Sequence, residues 1–305
     1  MPAAAPRAER RLYALGLRLL AVACLSTMGA LIKLASTRGV HLVETLFFRQ
    51  LFSVPVVLLW AAMGPGLASL RTIRIRAHMT RTLFGVTGMV FNFGAVLLMP
   101  LAEATTLQFT VPIFATILSA LILKEVAGIH RWSAVILGFI GVLIVVQPGN
   151  GHFPLYAGAV GLMAAFMVAA ISIQLRELGR TETAPTTVFW FSLLSVPLLG
   201  LVYPFFARNH DPLTWGLLAG IGLVGGLGQM ALTAALRWAP VSVVVPMDYS
   251  SLVWATLYGW LLFDAWPGTS TWFGAPLVIA SGLYIVWREA RLSRRVTDTI
   301  TAAAD

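Results

Sequence analysis

Cysteine is almost absent from this chain. Cys24 stands alone among 305 residues, so neither a disulfide framework nor a cysteine-based metal site can form within it. Charge is nearly as scarce. Only 11% of the residues are charged, against roughly 25% in a soluble protein, too few to cover a water-facing surface. The Gly-x4-Gly-Lys-Ser/Thr phosphate loop is missing, so nucleotide hydrolysis by that machinery is excluded. The five histidines (41, 78, 130, 152 and 210) are scattered and sit mostly at segment ends. Without a His/Asp/Glu cluster or a Ser/His/Asp group at one membrane face, no metal, no cofactor and no enzymatic centre is expected.

What fills the chain instead is apolar, 58% of it, and the solvent such a composition fits is lipid. A membrane-spanning helix needs roughly 17–25 apolar residues. Ten segments qualify: 13–36, 42–62, 79–99, 103–123, 131–148, 155–175, 186–206, 214–236, 241–262 and 271–288. Arg10-Arg11 before the first run has a faint look of a secretory signal, but the run continues to about residue 36 and is read as an uncleaved first span. The net charge of +9 does not mark a nucleic-acid binder, because the bases cluster just outside apolar runs, at Arg7/Arg10/Arg11, Arg71/Arg74/Arg76/Arg81 and Arg288/Arg291/Arg294/Arg295. With the N-terminus inside, 17 of the 21 Lys and Arg fall on the inner side, which by the positive-inside rule puts both termini in the cytoplasm.

The chain also repeats itself. Glu44–Leu59 and Thr186–Leu201 share seven of sixteen positions at an offset of 142, Ser-Val-Pro included (Ser53–Pro55 and Ser195–Pro197). Leu101–Glu125 aligns with Pro240–Asp264 at an offset of 139. Each of these stretches is an apolar span closed by an acid, Glu125 or Asp264, with Trp132 or Trp272 following. Five spans per half is an odd number, so the second half must insert upside down relative to the first, an arrangement suited to alternating access. The organisation read here is a cytoplasmic segment 1–12, a first repeat 13–148, a second repeat 155–288 and a cytoplasmic tail 289–305.

Pro100-Leu-Ala-Glu-Ala-Thr-Thr, then Pro112, Leu-Lys124-Glu125 and Gly138-Phe-Ile-Gly141-Val-Leu, together with Lys33 and Arg49, resemble the EamA domain of the drug/metabolite transporter superfamily over about residues 15–290. The second half follows the pattern more loosely: Asp264 replaces Glu, and Ser251 stands where Pro112 would. The resemblance implies an all-α integral membrane protein of ten transmembrane helices. They would form two inverted five-helix repeats around a central cavity, with no ATPase subunit. It implies a secondary transporter of the bacterial inner membrane, as monomer or homodimer, moving a small molecule. An amino-acid exporter, aromatic amino acids included, is expected; the alternative is an importer of S-adenosylmethionine or another nucleoside-like metabolite.

Charge deep in the bilayer costs about 2.5–3.5 kcal/mol and faces a cavity or a partner. Arg49 lies well inside the second span and Asp248 inside the ninth, beside Tyr249, Ser250 and Ser251. They are read either as carboxylate and ammonium binders or as pairs that hold the bundle. Asn92, Gln108 and Gln229 are candidates for cavity lining or for helix-to-helix hydrogen bonds. Trp190 and Trp254 can wall a cavity and stack on a ring. Lys33 and Glu44 flank the loop after the first span, where an ion pair or snorkelling accounts for them, and helix capping accounts for Glu103. Gly225 and Gly226 sit in a glycine-rich span read either as close packing or as a flexible hinge, and Pro112 and Pro246 as kinks near the cavity.

Overall fold

A computed structural model of the chain describes residues 7–122, 129–147, 153–179, 181–238 and 244–302. Lys124, Glu125 and Pro240 lie outside them. The described residues are helical, with no strand among them: α1 Arg7–Thr37, α2 Leu42–Met63, α3 Ile75–Leu98, α4 Leu101–Gln108, α5 Val111–Ile122, α6 Ile129–Val146, α7 Leu155–Leu178, α8 Ala184–Val202, α9 Pro212–Trp238, α10 Ser251–Phe263 and α11 Thr269–Ala302. Eight of the expected spans are long and apolar enough to cross a membrane: Leu12–Thr37, Leu42–Met63, Ile75–Leu98, Leu101–Leu121, Leu155–Leu175, Pro185–Phe205, Pro212–Ala235 and Thr269–Arg288. The other two are shorter. α6 supplies an apolar stretch Trp132–Val146, and the run expected at 241–262 is a 3-10 segment, Val245–Ser250, leading into α10 of 13 residues. Pro246 stands in the first turn of the 3-10 segment, where its missing N–H is tolerated.

The contacts fix the relative direction of helices drawn from the two halves. α1 packs on α9 with Gly228 at Cys24 and Leu25 and Gly220 at Leu31, so the two run antiparallel. α3 and α7 do the same, with Gly94 at Val160 and Gly88 at Ile171. α2 crosses α8, and α6 crosses α11, with Gly141 at Val278 and Gly138 at Ser281. Exchanging the halves turns the α1–α9 contact into α7–α3 and returns α2–α8 and α6–α11 to themselves. The repeat seen at Ser-Val-Pro is thus a two-fold relation between halves of opposite direction.

The outside of this bundle is apolar and its interior holds the polar groups, the inverse of a soluble domain. Phe205, Leu201 and Phe273 are largely exposed, while Glu44, Gln50, Thr106, Thr110 and Ser195 are completely or almost completely buried. Short polar side chains settle by bonding one turn back: Ser53 to the Arg49 carbonyl and Ser195 to the Phe191 carbonyl, each at 2.6 Å, in equivalent positions of the repeat. The expected Lys33–Glu44 pair does not form. Lys33 Nζ instead donates to the Val96 and Met99 carbonyls at 3.0 and 2.5 Å, closing the C-terminal end of α3.

The fourth span of each half is broken at the same level. α4 stops at Gln108, and Phe109 and Thr110 turn by i→i−3 bonds to Thr106 and Leu107, both 3.1 Å, before α5 resumes at Val111-Pro112. In the second half the 3-10 segment gives way to α10 at Ser251. The breaks meet: the Phe109 and Tyr249 rings lie 4.8 Å apart between centroids. Discontinuous helices of this kind are tolerated at membrane depth only where protein covers them.

Close packing of α6 on α11 depends on small residues. A Cβ added to Gly274 would lie 2.6 Å from the Gly141 carbonyl oxygen, in α6 backbone. Gly274→Ala should therefore lower stability by about 1–3 kcal/mol, read as a fall in the unfolding midpoint of the purified protein in detergent; an unchanged midpoint would show that the two helices separate freely.

Candidate functional site

A cavity of about 430 Å³ opens between α2, α3, α7, α8 and α9, drawing residues from both halves. Arg49 and Ser53 enter from α2, Arg81 from α3, Phe191 and Ser192 from α8, and Gln229 and Thr233 from α9, with Glu182 in the α7–α8 connection. Arg49 is 7% exposed. Its guanidinium donates to Gln50 Oε1 and touches Met89 Sδ at 3.4 Å, leaving Nε without a partner. Arg81 lies with its guanidinium carbon 4.4 Å from the Phe191 ring centroid, and its Nε and Nη1 are likewise buried and unpartnered.

Clasps close the bundle at both ends, in corresponding connections. At the face where α1 begins, Thr72 donates to Glu182 at 2.6 Å, Arg74 donates to Thr181 at 2.8 Å, and Trp190 Nε1 donates to the Leu70 carbonyl at 2.8 Å. The buried His78 stands 3.9 Å from Glu182. At the opposite face, Glu44 accepts from the Arg208 amide at 3.1 Å and meets His210 Nε2 at 3.0 Å, while His41 stacks on Phe206 at 4.2 Å. Arg38 reaches Asp211 at 3.5 Å. The Thr214 hydroxyl, with Arg38 adding to it, holds the Asp211 carboxyl below the usual carboxylate range. Glu103 sits in the first turn of α4 but accepts from Gly268 N and Thr271 Oγ1 at 3.0 and 2.9 Å, so the helix start it caps is that of α11.

The residues singled out in the sequence divide into groups. Arg49, Gln229 and Gly226 share the cavity. Gly225 faces Met28 of α1, and Gly226 faces Val56 of α2, within an unbroken α9. Asp248 lies elsewhere, gripped by Arg18 through two bonds of 2.6 and 2.5 Å. Tyr249 packs on Phe109, and Ser251 donates back to the Asp248 carbonyl at 2.6 Å. Trp254 stacks on Tyr258, whose hydroxyl meets Thr27 at 2.7 Å. Trp190 belongs to the clasp; Asn92 is half-buried on α3; Gln108, ending α4, keeps Nε2 buried and unpartnered. Pro112 opens α5, and Pro246 the 3-10 segment. Arg18, Arg81, Phe191 and Glu182 escaped sequence reasoning. One signal pointed to Arg81: Gly85, four residues on, whose missing side chain leaves room for both the Arg81 guanidinium and the Phe191 ring.

The helices thus enclose a cavity lined from both halves, between two sets of contacts that join the connections at either end. The sequence pattern of the EamA-like transporter family matches residues 12–147 and again 156–287, and the chain belongs to that family. It is similar to a riboflavin transporter of Vibrio cholerae, 34% identical over 229 residues, 74% of this chain and 76% of that one. It also resembles the pseudopaline exporter CntI of Pseudomonas aeruginosa, 29% identical over 87% of this chain and 93% of the relative. An S-adenosylmethionine uptake transporter of Rickettsia felis is 26% identical over 93% and 96%. A protein of known crystal structure, 20% identical, superposes with a TM-score of 0.59 over 92% of this chain and 98% of its own, a likeness of fold.

Arg18→Ala should strand the Asp248 carboxylate. Because the Asp248 side chain is 36% exposed, the loss should be about 1–2 kcal/mol, less than for a fully buried pair. The exchange Arg18→Asp with Asp248→Arg should recover part of the unfolding midpoint, and equal midpoints for wild type and Arg18→Ala would show the pair to be ornamental.

Proposed function

We propose that this protein is a secondary transporter that carries a small, ring-bearing, acceptor-rich metabolite of the flavin type across the bacterial inner membrane by alternating access. The observation that carries the proposal is the cavity itself. Polar groups from α2, α3, α8 and α9, contributed by both halves, face one space between two clasps. Ten crossings in two inverted halves, with both chain ends in the cytoplasm, fit the antiparallel packing of the counterpart helices α6 and α11 and the inward placement of the bases. Guanidinium and amide donors suit the carbonyl edge of a heterocycle, and Phe191 offers a ring face to stack on. The similarity to the Vibrio cholerae riboflavin transporter favours this substrate class. Energy comes from a solute or ion gradient, as the chain carries no phosphate loop of its own.

Amino-acid export is the second reading. Its motive is that Glu182 lines the same cavity as Arg49 and Arg81, so a zwitterion would find partners for both ends. Asp248, the acid first assigned to that ammonium, is occupied by Arg18.

Purified protein in liposomes of known orientation should exchange labelled riboflavin with saturation, while labelled amino acids show no counterflow. Amino-acid exchange without riboflavin exchange would reverse the choice, and the side that loads gives the direction. Reporter tags on the two ends should both report the cytoplasm; tags on opposite sides would end the inverted ten-span reading.

A further inference from the structure

Neither positive charge that lines the cavity is met by an ion pair among the described residues. Arg49 and Arg81 both line it, and no carboxylate of the described residues pairs with either guanidinium. The acid in the lining, Glu182, accepts from the Thr72 hydroxyl at 2.6 Å and forms an ion pair with neither arginine. Leaving a buried charge unmatched is costly, and proteins keep such charges where a ligand matches them. Both side chains are held in place rather than free to snorkel. Arg49 is fixed on one edge by Gln50 and Met89, with Nε left over. Arg81 is laid flat on Phe191, with Nε and Nη1 left over. The notch at Gly85 makes this posture possible, because a Cβ there would collide with Arg81 Nη1 and would lie 2.5 Å from the Phe191 ring. The leftover donors, Nε of Arg49 and Nε and Nη1 of Arg81, come from two cations lining one space, and a group of two oxygens sharing negative charge can accept from both.

We infer that Arg49 and Arg81 form a binding site for an anionic two-oxygen group, a carboxylate or its equivalent, on the transported molecule, and that Gly85 is its positioning residue. The inference rests on the cavity being the transport site and, within the flavin class, favours an acidic member that carries a carboxylate or phosphate over neutral riboflavin, which would bind without this contact. Phe191 occupies in the second half the position that Arg49 occupies in the first, at the repeat offset of 142. The two equivalent helix positions have thus diverged, one supplying charge and the other the ring that orients the second charge.

The test uses the full chain in detergent and small probes of the group itself. Formate and acetate, at constant ionic strength against chloride, should raise the unfolding midpoint saturably, and formamide and acetamide should not. Arg81→Gln and Arg49→Gln should each weaken the half-saturating formate concentration by about tenfold or more, the factor expected of one charge-assisted hydrogen bond. Gly85→Ala should weaken it comparably although every charge remains, which a purely electrostatic attraction would not predict. Arg81→Lys, keeping charge without the fork, should fall between. Equal responses to formate and formamide, or variants that respond like wild type, would overturn the inference. Flux through liposomes separates the two readings. Riboflavin exchange without any formate response removes the anion site and leaves transport standing; a formate response in a protein that moves no solute keeps the site and removes the transport reading.

Discussion

Hydrocarbon offers no partner to a bare amide, and this constraint shapes the whole molecule. Long helices satisfy their own backbones, so most of the chain can meet lipid with apolar side chains. Where the helix is interrupted, at Phe109–Thr110 and at Val245–Ser250, the interruption must be covered by protein. Each break finds its cover in the other: Phe109 lies on Tyr249, and the Tyr249 hydroxyl fills the space left by Gly282. The two irregular stretches thereby tie the halves together, and the regular helices around them leave room for a cavity on the other side of the bundle.

That cavity is bounded by close helix contacts of unusual thinness. At Gly222 a Cβ would come 2.8 Å from the Phe48 carbonyl and 3.2 Å from that of Arg49, so α9 meets the backbone of α2 directly. Ser53 reinforces the contact by sharing its hydroxyl with the Gly222 carbonyl at 3.2 Å. The glycines of α9 therefore bring Arg49 and Gln229 to the same wall of the cavity, whatever part they play in motion.

Much of this was legible along the chain. Apolar length, the basic clusters and the Ser-Val-Pro repeat give the helical bundle and its two-fold plan, because each is a local property. Arg49 and Gln229 were legible for the same reason: a polar side chain in the middle of an apolar run has to be accommodated. Arg81 was not: it fell just inside the expected span 79–99 but was counted with the basic cluster outside it, and the start of α3 at Ile75 sets it further along the helix than the sequence suggested. Asp248 was legible as an acid that needed company, but its partner Arg18 is 230 residues distant. Glu103 shows the same limit in miniature. Its place in a first turn is visible in sequence, whereas the helix whose amides it receives is settled by packing.

The clasps have one further consequence. They are built from unlike chemistry at equivalent places, a buried Glu44 with aromatic stacking at one end and a Glu182–hydroxyl–arginine set at the other. On the proposed alternating-access reading, unlike fastenings would close with unequal energies, and the empty protein would open more often at one end than at the other. A solute arriving at the disfavoured door meets a competent site only in the fraction of molecules open to it, and its apparent affinity is divided by that fraction. Apparent affinity at each face could therefore be tuned at the rim, by residues such as Glu44 that do not line the cavity.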